Sequence, residues 1–549
     1  MSPKTNPPTP AQGRESISQL STNAMCSFFK RHKILACLFL SVLALILWLG
    51  YRTIGPYRSY RADMMKPAAG QIVQPGALMV GVGKRDITPV MDRYDPWVDA
   101  DNNGKFDPQK GDTYTDKNGN GTFDFVWIAG FSNNRPAKGV HDPLWARAIA
   151  VRNNGVTVAM VSLDSIGIFY EKFIDVRKMI DPSLGVDHVM FSSLHDHEAP
   201  DTMGIWSYSI IQPRFDFRYM ELVKKSCKEA VEEAVKNLQP ADTILGQVTA
   251  GPDGYVDDSR QPIVYDNVIR CARFVKKGTD DTIVTLVEWG CHPETLGGAN
   301  SLLTSDFSGY WRDAVENGVP EPKGVKGLGG TCIYFQGLVG GLMTQLHTTV
   351  PHRNGVDKFK EASYEKAQAL GQNLAILTVN ALRGDKAWRP TNTRVAIAAK
   401  TIFPPISGLF GSGVFLGLAH PGWYWGKVKT ELNVIQIGDL EILTIPGEMY
   451  PEIAEGGIES PEGADFPGPP IEVPPLRSQM KGKLNMMVGL ANDELGYLIP
   501  KSQWDKKPPY AYGRAKAPQY GEENSPGPDA AAAIHREALA LLNQFHAAQ

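Results

Sequence analysis

The sequence predicts a large mixed α/β fold: a layered sandwich of mixed β-sheets flanked by helices. Three observations predict it. Hairpin signals and amphipathic helices alternate irregularly, without a strict strand–helix–strand rhythm. Of 549 residues, 54 are Gly and 40 are Pro, which supplies many turns and argues against a helical bundle. No repeat of about 20–50 residues recurs, so the chain is not a solenoid.

In chain order, residues 1–33 are polar and rich in Pro, Ser and Thr, and read as a disordered tail. Residues 34–51 (ILACLFLSVLALILWLGY) carry no charge. At about 1.5 Å per residue they span about 27 Å, close to the thickness of a bilayer core. Lys30, Arg31 and Lys33 precede the run, and Trp48 and Tyr51 close it at interfacial depth. The segment reads as a transmembrane anchor, or alternatively as a signal segment beginning at Met25; either way the bulk of the protein is exported or secreted. Residues 52–75 read as a linker and 76–549 as one catalytic domain.

Within that domain, residues 79–82, 146–151, 156–163, 189–193 and 282–289 are apolar or β-branched runs that read as strands. Asn153-Asn154-Gly155 joins the second and third as a hairpin. Residues 218–238 place Tyr219, Leu222, Val223, Ala230, Val231, Ala234 and Leu238 on one stripe, a helix packed on a sheet. Residues 363–382 and 530–547 read as further helices. Gly438-Asp439 turns a hairpin between 434–437 and 441–445. The Pro-rich stretch 461–478 reads as a surface loop. The apolar, Gly-rich stretch 402–418 is either a lipid-contacting flap or a buried core loop.

The 56 Lys and Arg nearly balance 59 Asp and Glu, so there is no basic footprint for nucleic acid. Six cysteines without a C-x-x-C pair do not make a disulfide framework. They read as buried thiols, with one disulfide among Cys227, Cys271, Cys291 and Cys332 left open.

Two oxygen-rich strings, DADNNGKFD at 99–107 and DKNGNGTFD at 116–124, place side-chain oxygens at alternate positions before a turn-making Gly. Asp99, Asp101, Asn103 and Asp107, and Asp116, Asn118, Asn120 and Asp124, are thus candidate calcium ligands, because a hard cation takes six to eight oxygens. Position twelve is Lys110 in one and Trp127 in the other, so neither is an EF-hand.

The strand at 189–193 runs into Leu194-His195-Asp196-His197. Residues i and i+2 of an extended chain point the same way, so both imidazoles can converge on one metal. A second strand ends in Cys291-His292-Pro293-Glu294, a third segment in Pro446-Gly447-Glu448, and a fourth is Asn492-Asp493-Glu494-Leu495-Gly496-Tyr497. In this order, after Val80-Gly81-Val82-Gly83 and Gly139-Val140-His141-Asp142-Pro143, the set resembles the N-terminal catalytic domain of the neutral/alkaline, non-lysosomal ceramidases over about residues 78–525.

That resemblance implies one zinc held by His195, His292, Glu448 and Tyr497, with His197 as a hydrogen-bonding or proton-transfer residue. It also implies that Arg260 steadies an oxyanion, and that Tyr520 matches a late tyrosine of the family. The implied activity is hydrolysis of an N-acyl sphingoid or related acyl lipid by metal-activated water. The alternatives are a zinc hydrolase of a non-ceramide substrate and a non-catalytic lipid- or ligand-binding protein on the same scaffold. Two departures bear on substrate. The C-terminal β-sandwich of the family is expected to be absent, and Met343 takes the place of its active-site serine, with Thr344 expected to face away. Met343→Ser is accordingly expected to raise ceramide cleavage.

Overall fold

A computed structural model describes residues 33–68, 70–71, 76–207 and 216–548. Of the expected tail at 1–33, residues 1–32, with Cys26, Lys30 and Arg31, lie outside the described residues, as do residues 69 and 72–75 of the expected linker, and Lys33 opens a helix.

In chain order the main elements are α1 (Lys33–Ile54), β1 (Met64–Lys66), β2 (Met79–Asp86), β3 (Trp145–Asn153), β4 (Val156–Leu163), α2 (Tyr170–Met179), β5 (His188–Ser193), α3 (Phe217–Lys236), β6 (Gln239–Thr249), β7 (Val268–Lys276) and β8 (Thr282–Trp289). They continue as α4 (Asp306–Asn317), β9 (Thr331–Gln336), α5 (Tyr364–Arg383), β10 (Val395–Ile402), α6 (Gly408–Leu416), β11 (Thr430–Ile437), β12 (Leu440–Thr444), β13 (Glu448–Met449), β14 (Leu484–Val488), β15 (Tyr497–Leu498) and α7 (Ala530–Ala547). Eight strands form one sheet in the order β9-β8-β7-β6-β2-β3-β4-β5, and five form a second in the order β1-β10-β11-β12-β14. Only β8–β9 and β4–β5 in the first sheet and β12–β14 in the second are parallel.

The two sheets face each other across a core that includes Ile149, Val158, Leu286, Ile397, Ile435 and Met486. Helices α2 and α3 cover one half of the outer face of the large sheet, and α4 and α5 the other half. Helix α7 packs on the outer face of the smaller sheet. The result is the expected layered sandwich. Strand β1 shows that part of the expected linker joins the fold, pairing with β10.

The Val80-Gly81-Val82-Gly83 string has a packing reason. A Cβ at Gly81 would lie 2.1 Å from the Ala234 carbonyl oxygen, and one at Gly83 would lie 2.2 Å from that of Ala230. Alternate glycines on one strand face therefore let α3 settle directly on β2. The β3–β4 hairpin turns through Asn154 and Gly155, both at positive φ as a two-residue type I′ turn demands.

The large sheet curls until its two edge regions meet. Ser162 Oγ donates to the Tyr334 carbonyl, and Gln336 Nε2 donates to the Leu194 carbonyl at 2.6 Å. This curl brings the end of β5 beside the ends of β8 and β9, where the histidines lie. The cysteines at 227, 271, 291 and 332 are buried thiols, and Cys37 is an exposed one on α1.

Gly83→Ala should force α3 off β2 and cost about 1–3 kcal/mol by overpacking. Thermal unfolding should shift down by several degrees; an unchanged melting temperature would contradict the close approach.

Candidate metal centre

His195 and His292 sit just past strand ends, and Glu448 and Tyr497 open the two-residue strands β13 and β15. His195 follows β5 in the left-handed region at φ 61°. Its conformation is fixed by neighbours: Asp196 N–H donates to the Ser165 carbonyl, and the His195 Nδ1 meets the Ile166 carbonyl at 2.8 Å. His292 follows β8, and its Nδ1 meets the Met343 carbonyl at 2.8 Å. With both Nδ1 atoms occupied as donors, both Nε2 lone pairs are turned into the cavity. There they face one carboxylate oxygen, Glu448 Oε2, at 3.4 Å from His195 and 3.1 Å from His292. Nitrogen and oxygen ligands about 2.0–2.1 Å from a tetrahedral zinc lie about 3.3 Å from one another, so these separations fit a shared ion.

Glu448 and Tyr497 are direct partners in the short parallel pair β13–β15. The ligand-bearing segments are laced by backbone bonds. His197 N–H donates to the Pro293 carbonyl, Ser193 N–H to Leu490, Asn492 N–H to Phe191, and Glu448 N–H to Gly496. Gln336 ties the two histidine loops together: its amide nitrogen donates to the Leu194 and Cys291 carbonyls, and its oxygen accepts from the Tyr334 hydroxyl.

The structure therefore brings together His195, His197, His292, Glu448 and Tyr497, all expected from the sequence. It adds two carboxylates that sequence reasoning left out, Glu294 and Glu494. Ligand atoms of His195, His197 and His292 lie within 4.8 Å of one another, and so do those of His195, Glu448 and Glu494. Glu294 stands two residues past His292, the same i, i+2 relation that singled out His197, and could have been found that way.

Burial raises the Glu448 carboxyl well above its ordinary range and the charge of Glu294 adds to this, while Tyr497 opposes it. Burial, then Glu448, does the same to Glu494. Glu294 is also raised by burial, against the pull of His292 and a hydrogen bond from Thr344. Burial and neighbouring imidazoles push His195 and His197 well below the usual histidine value. Both His197 ring nitrogens and Glu494 Oε2 are buried without a hydrogen-bond partner. Neutral imidazoles, buried carboxylates and orphaned donor atoms suit a borderline-soft cation such as zinc.

Three expected site residues are placed differently from expectation. Arg260 commits its four terminal N–H groups to both Glu522 oxygens and to the Tyr520 and Gln503 carbonyls, and only its buried Nε–H is left without a partner. Its task is to hold the segment carrying Tyr520, whose ring meets Tyr497 edge-on at 6.1 Å. Met343 is fully buried in the cluster with Trp289, Cys291 and Phe307, and its backbone carbonyl anchors His292. Thr344 does not face away; its hydroxyl bonds to Glu294.

Of the calcium candidates, Asp99 and Asp101 gather with Asp112, which sequence reasoning left out. Lys138 Nζ lies 3.0 Å from Asp99. Asn103 donates to Asp101, and Asp107 caps a short 3-10 turn through Gln109 N–H. In the second loop Asp116 accepts from Gly119 and Gly121 N–H, and Asn118 and Asn120 turn their amide nitrogens toward Asp124.

No family model matches the chain, and no curated protein matches it in sequence. Among solved structures, neutral ceramidase from Pseudomonas aeruginosa superposes with a TM-score of 0.58 at 15% identity, over 85% of this chain and 74% of that one. A ceramidase complexed with C2 gives 0.58 at 14% identity, over 86% and 75%. The chain has the neutral ceramidase fold. At 14–15% identity it is the fold alone that is shared.

The carboxyl shifts set a pH signature. From about pH 6.5 upward the histidines of the unfolded chain release their protons whether or not metal is bound, so they cancel between the two conditions, as does His420, which, against the lowering by burial, Asp493 raises to about 9. Raised carboxyls then keep protons that the unfolded chain has released, so metal-stripped protein loses stability as pH rises. A bound cation displaces those protons, so its stabilisation grows with pH. Melting temperatures with zinc and with chelator should diverge between pH 6.5 and 8.5; a constant gap would contradict the linkage.

Proposed function

We propose that the chain is a zinc-dependent amidohydrolase acting on N-acyl lipids, N-acyl sphingoids among them. The observation that carries this reading is the convergence of His195 Nε2 and His292 Nε2 on Glu448 Oε2, each imidazole locked by a backbone carbonyl. His195, His292, Glu448 and Tyr497 would hold the ion. When bound, zinc supplies Lewis acidity toward a carbonyl and makes water nucleophilic near neutral pH. The chain's own residues orient and enclose the reaction. Phe131 meets His197 edge-on at 5.2 Å and walls one side, with Thr344 and Glu294 behind. Half-exposed Tyr520 stands beside Tyr497 as a positioning group for substrate.

A lipid substrate is favoured by the 402–427 segment, which sides with the flap rather than the core loop. Helix α6 exposes Leu409, Phe415 and Leu416, and Trp425 nearby is 86% exposed. Ile406, Phe415, Leu416 and Trp423 line a cavity of about 470 Å³. His420 Nε2 pairs with Asp493 at 3.0 Å, which fixes the segment next to Glu494. The apolar helix α1 has no buried residue from Lys33 to Tyr51, and Gly55 just past its end lies against Gly422 and Tyr424, so as an anchor or signal segment it would bring this flap to a membrane. We also propose that calcium on Asp99, Asp101 and Asp112 serves stability and takes no part in chemistry.

Zinc-replete protein should cleave an N-acyl lipid in a panel of ceramides, N-acyl amino acids and esters. His195→Ala and His292→Ala should lose both the tightly held zinc and the cleavage; zinc retained in both variants, or no amide cleavage by the unaltered protein, contradicts the reading. Met343→Ser should cost about 2–4 kcal/mol as a core truncation and bring no gain in ceramide cleavage; a gain would reinstate the serine argument. Millimolar calcium should raise the melting temperature by linkage, and Asp112→Ala should remove that rise.

A further inference from the structure

One four-coordinate zinc does not use every donor in this cavity. His195, His292, Glu448 and Tyr497 suffice for it, which leaves His197, Glu294 and Glu494. These are interior groups: Glu294 is 7% exposed and Glu494 2%. His197 is held in place from behind, because Gly130 at φ 98° leaves no room for even a Cβ beside its ring, which would come within 2.7 Å. Its Nδ1 lies 3.2 Å from Glu294 Oε2, yet neither ring nitrogen makes a hydrogen bond. That distance is again the separation of about 3.3 Å expected of two ligands on one tetrahedral ion. A carboxylate oxygen of Glu494 groups with His195 and Glu448, so Glu494 borders the first ion and is not counted toward the second.

We propose that the cavity is a two-cation centre, in which His197 Nδ1 and Glu294 Oε2 hold a second divalent cation beside the one on His195, His292 and Glu448. This rests on the metal-centre reading above. It moves His197 from proton handling to ligation. With two side-chain ligands against four, the second ion is the weaker and more exchangeable, and its open positions face the substrate. A ligand atom of His197 lies within 4.8 Å of those of His195 and His292, so the two cations would be close neighbours, and two-metal hydrolases hold theirs about 3.5–4 Å apart.

The test is zinc stoichiometry on the full chain in detergent, stripped with chelator, reloaded with zinc, and kept in millimolar calcium so that the acidic loop does not count. The unaltered protein should carry two zinc ions per chain, and Glu294→Gln and His197→Asn one each. One zinc in the unaltered protein overturns the second site and leaves the first standing; none overturns both. Two that persist in both variants overturn the assignment to these residues. X-ray absorption on the unaltered protein needs no variant to fold: a metal–metal vector of about 3.5 Å is expected, and its absence in protein carrying two zinc ions refutes the pair.

Discussion

Everything in this fold answers to one constraint: three imidazoles and three carboxylates are buried together without enough partners among themselves. Leaving one charge uncompensated in such a place costs about 3–5 kcal/mol. A chain that tolerates the arrangement must either protonate it or fill it with cation. The donor geometry favours filling. Two Nδ1 atoms are committed to the carbonyls of Ile166 and Met343, which turns both Nε2 lone pairs toward the one Glu448 oxygen. Two His197 nitrogens and one Glu494 oxygen have no hydrogen-bond partner at all.

The scaffold is built to hold that cluster in place. The curl of the large sheet brings its edges together, and Gln336, entirely buried, spans the gap with hydrogen bonds to both histidine loops. Backbone bonds then sew the 489–496 segment to β5 on one side and to the Glu448 turn on the other. Strain collects at these places. His195, Asp306, Leu342, Leu490 and Asn492 all take positive φ in or beside the ligand-bearing segments. Such residues cost about 1–3 kcal/mol each and persist only where the surroundings over-determine them. Stability spent there is recovered in the ordinary core between the sheets and under α3, where the Gly81 and Gly83 face admits the helix backbone.

Much of this was legible in the residues. Helices at 218–238, 363–382 and 530–547 and the strands at 156–163 and 282–289 follow from apolar periodicity, and the structure places them within a few residues. That His195, His292, Glu448 and Tyr497 come together was legible because each lies in a short string of distinctive chemistry. What escaped notice is instructive. Glu294 and Glu494 look like ordinary charged residues in sequence; only the meeting of distant loops buries them. Arg260 carried a catalytic role by resemblance, but its partner Glu522 lies 262 residues away and no spacing reveals that pair. The placement of Met343 and Thr344 was not legible because the two-residue strand they form pairs with Asp257 and Asp258, a register set by tertiary contacts. Strand β1 escaped because three residues carry no period to read.

The most direct test of the central claim is anomalous diffraction at the zinc absorption edge from crystals of zinc-loaded protein. The account predicts a strong peak within coordination distance of His195 Nε2, His292 Nε2 and Glu448 Oε2. A cavity with no anomalous peak, its carboxyls hydrogen-bonded to water in well-ordered density, would contradict it.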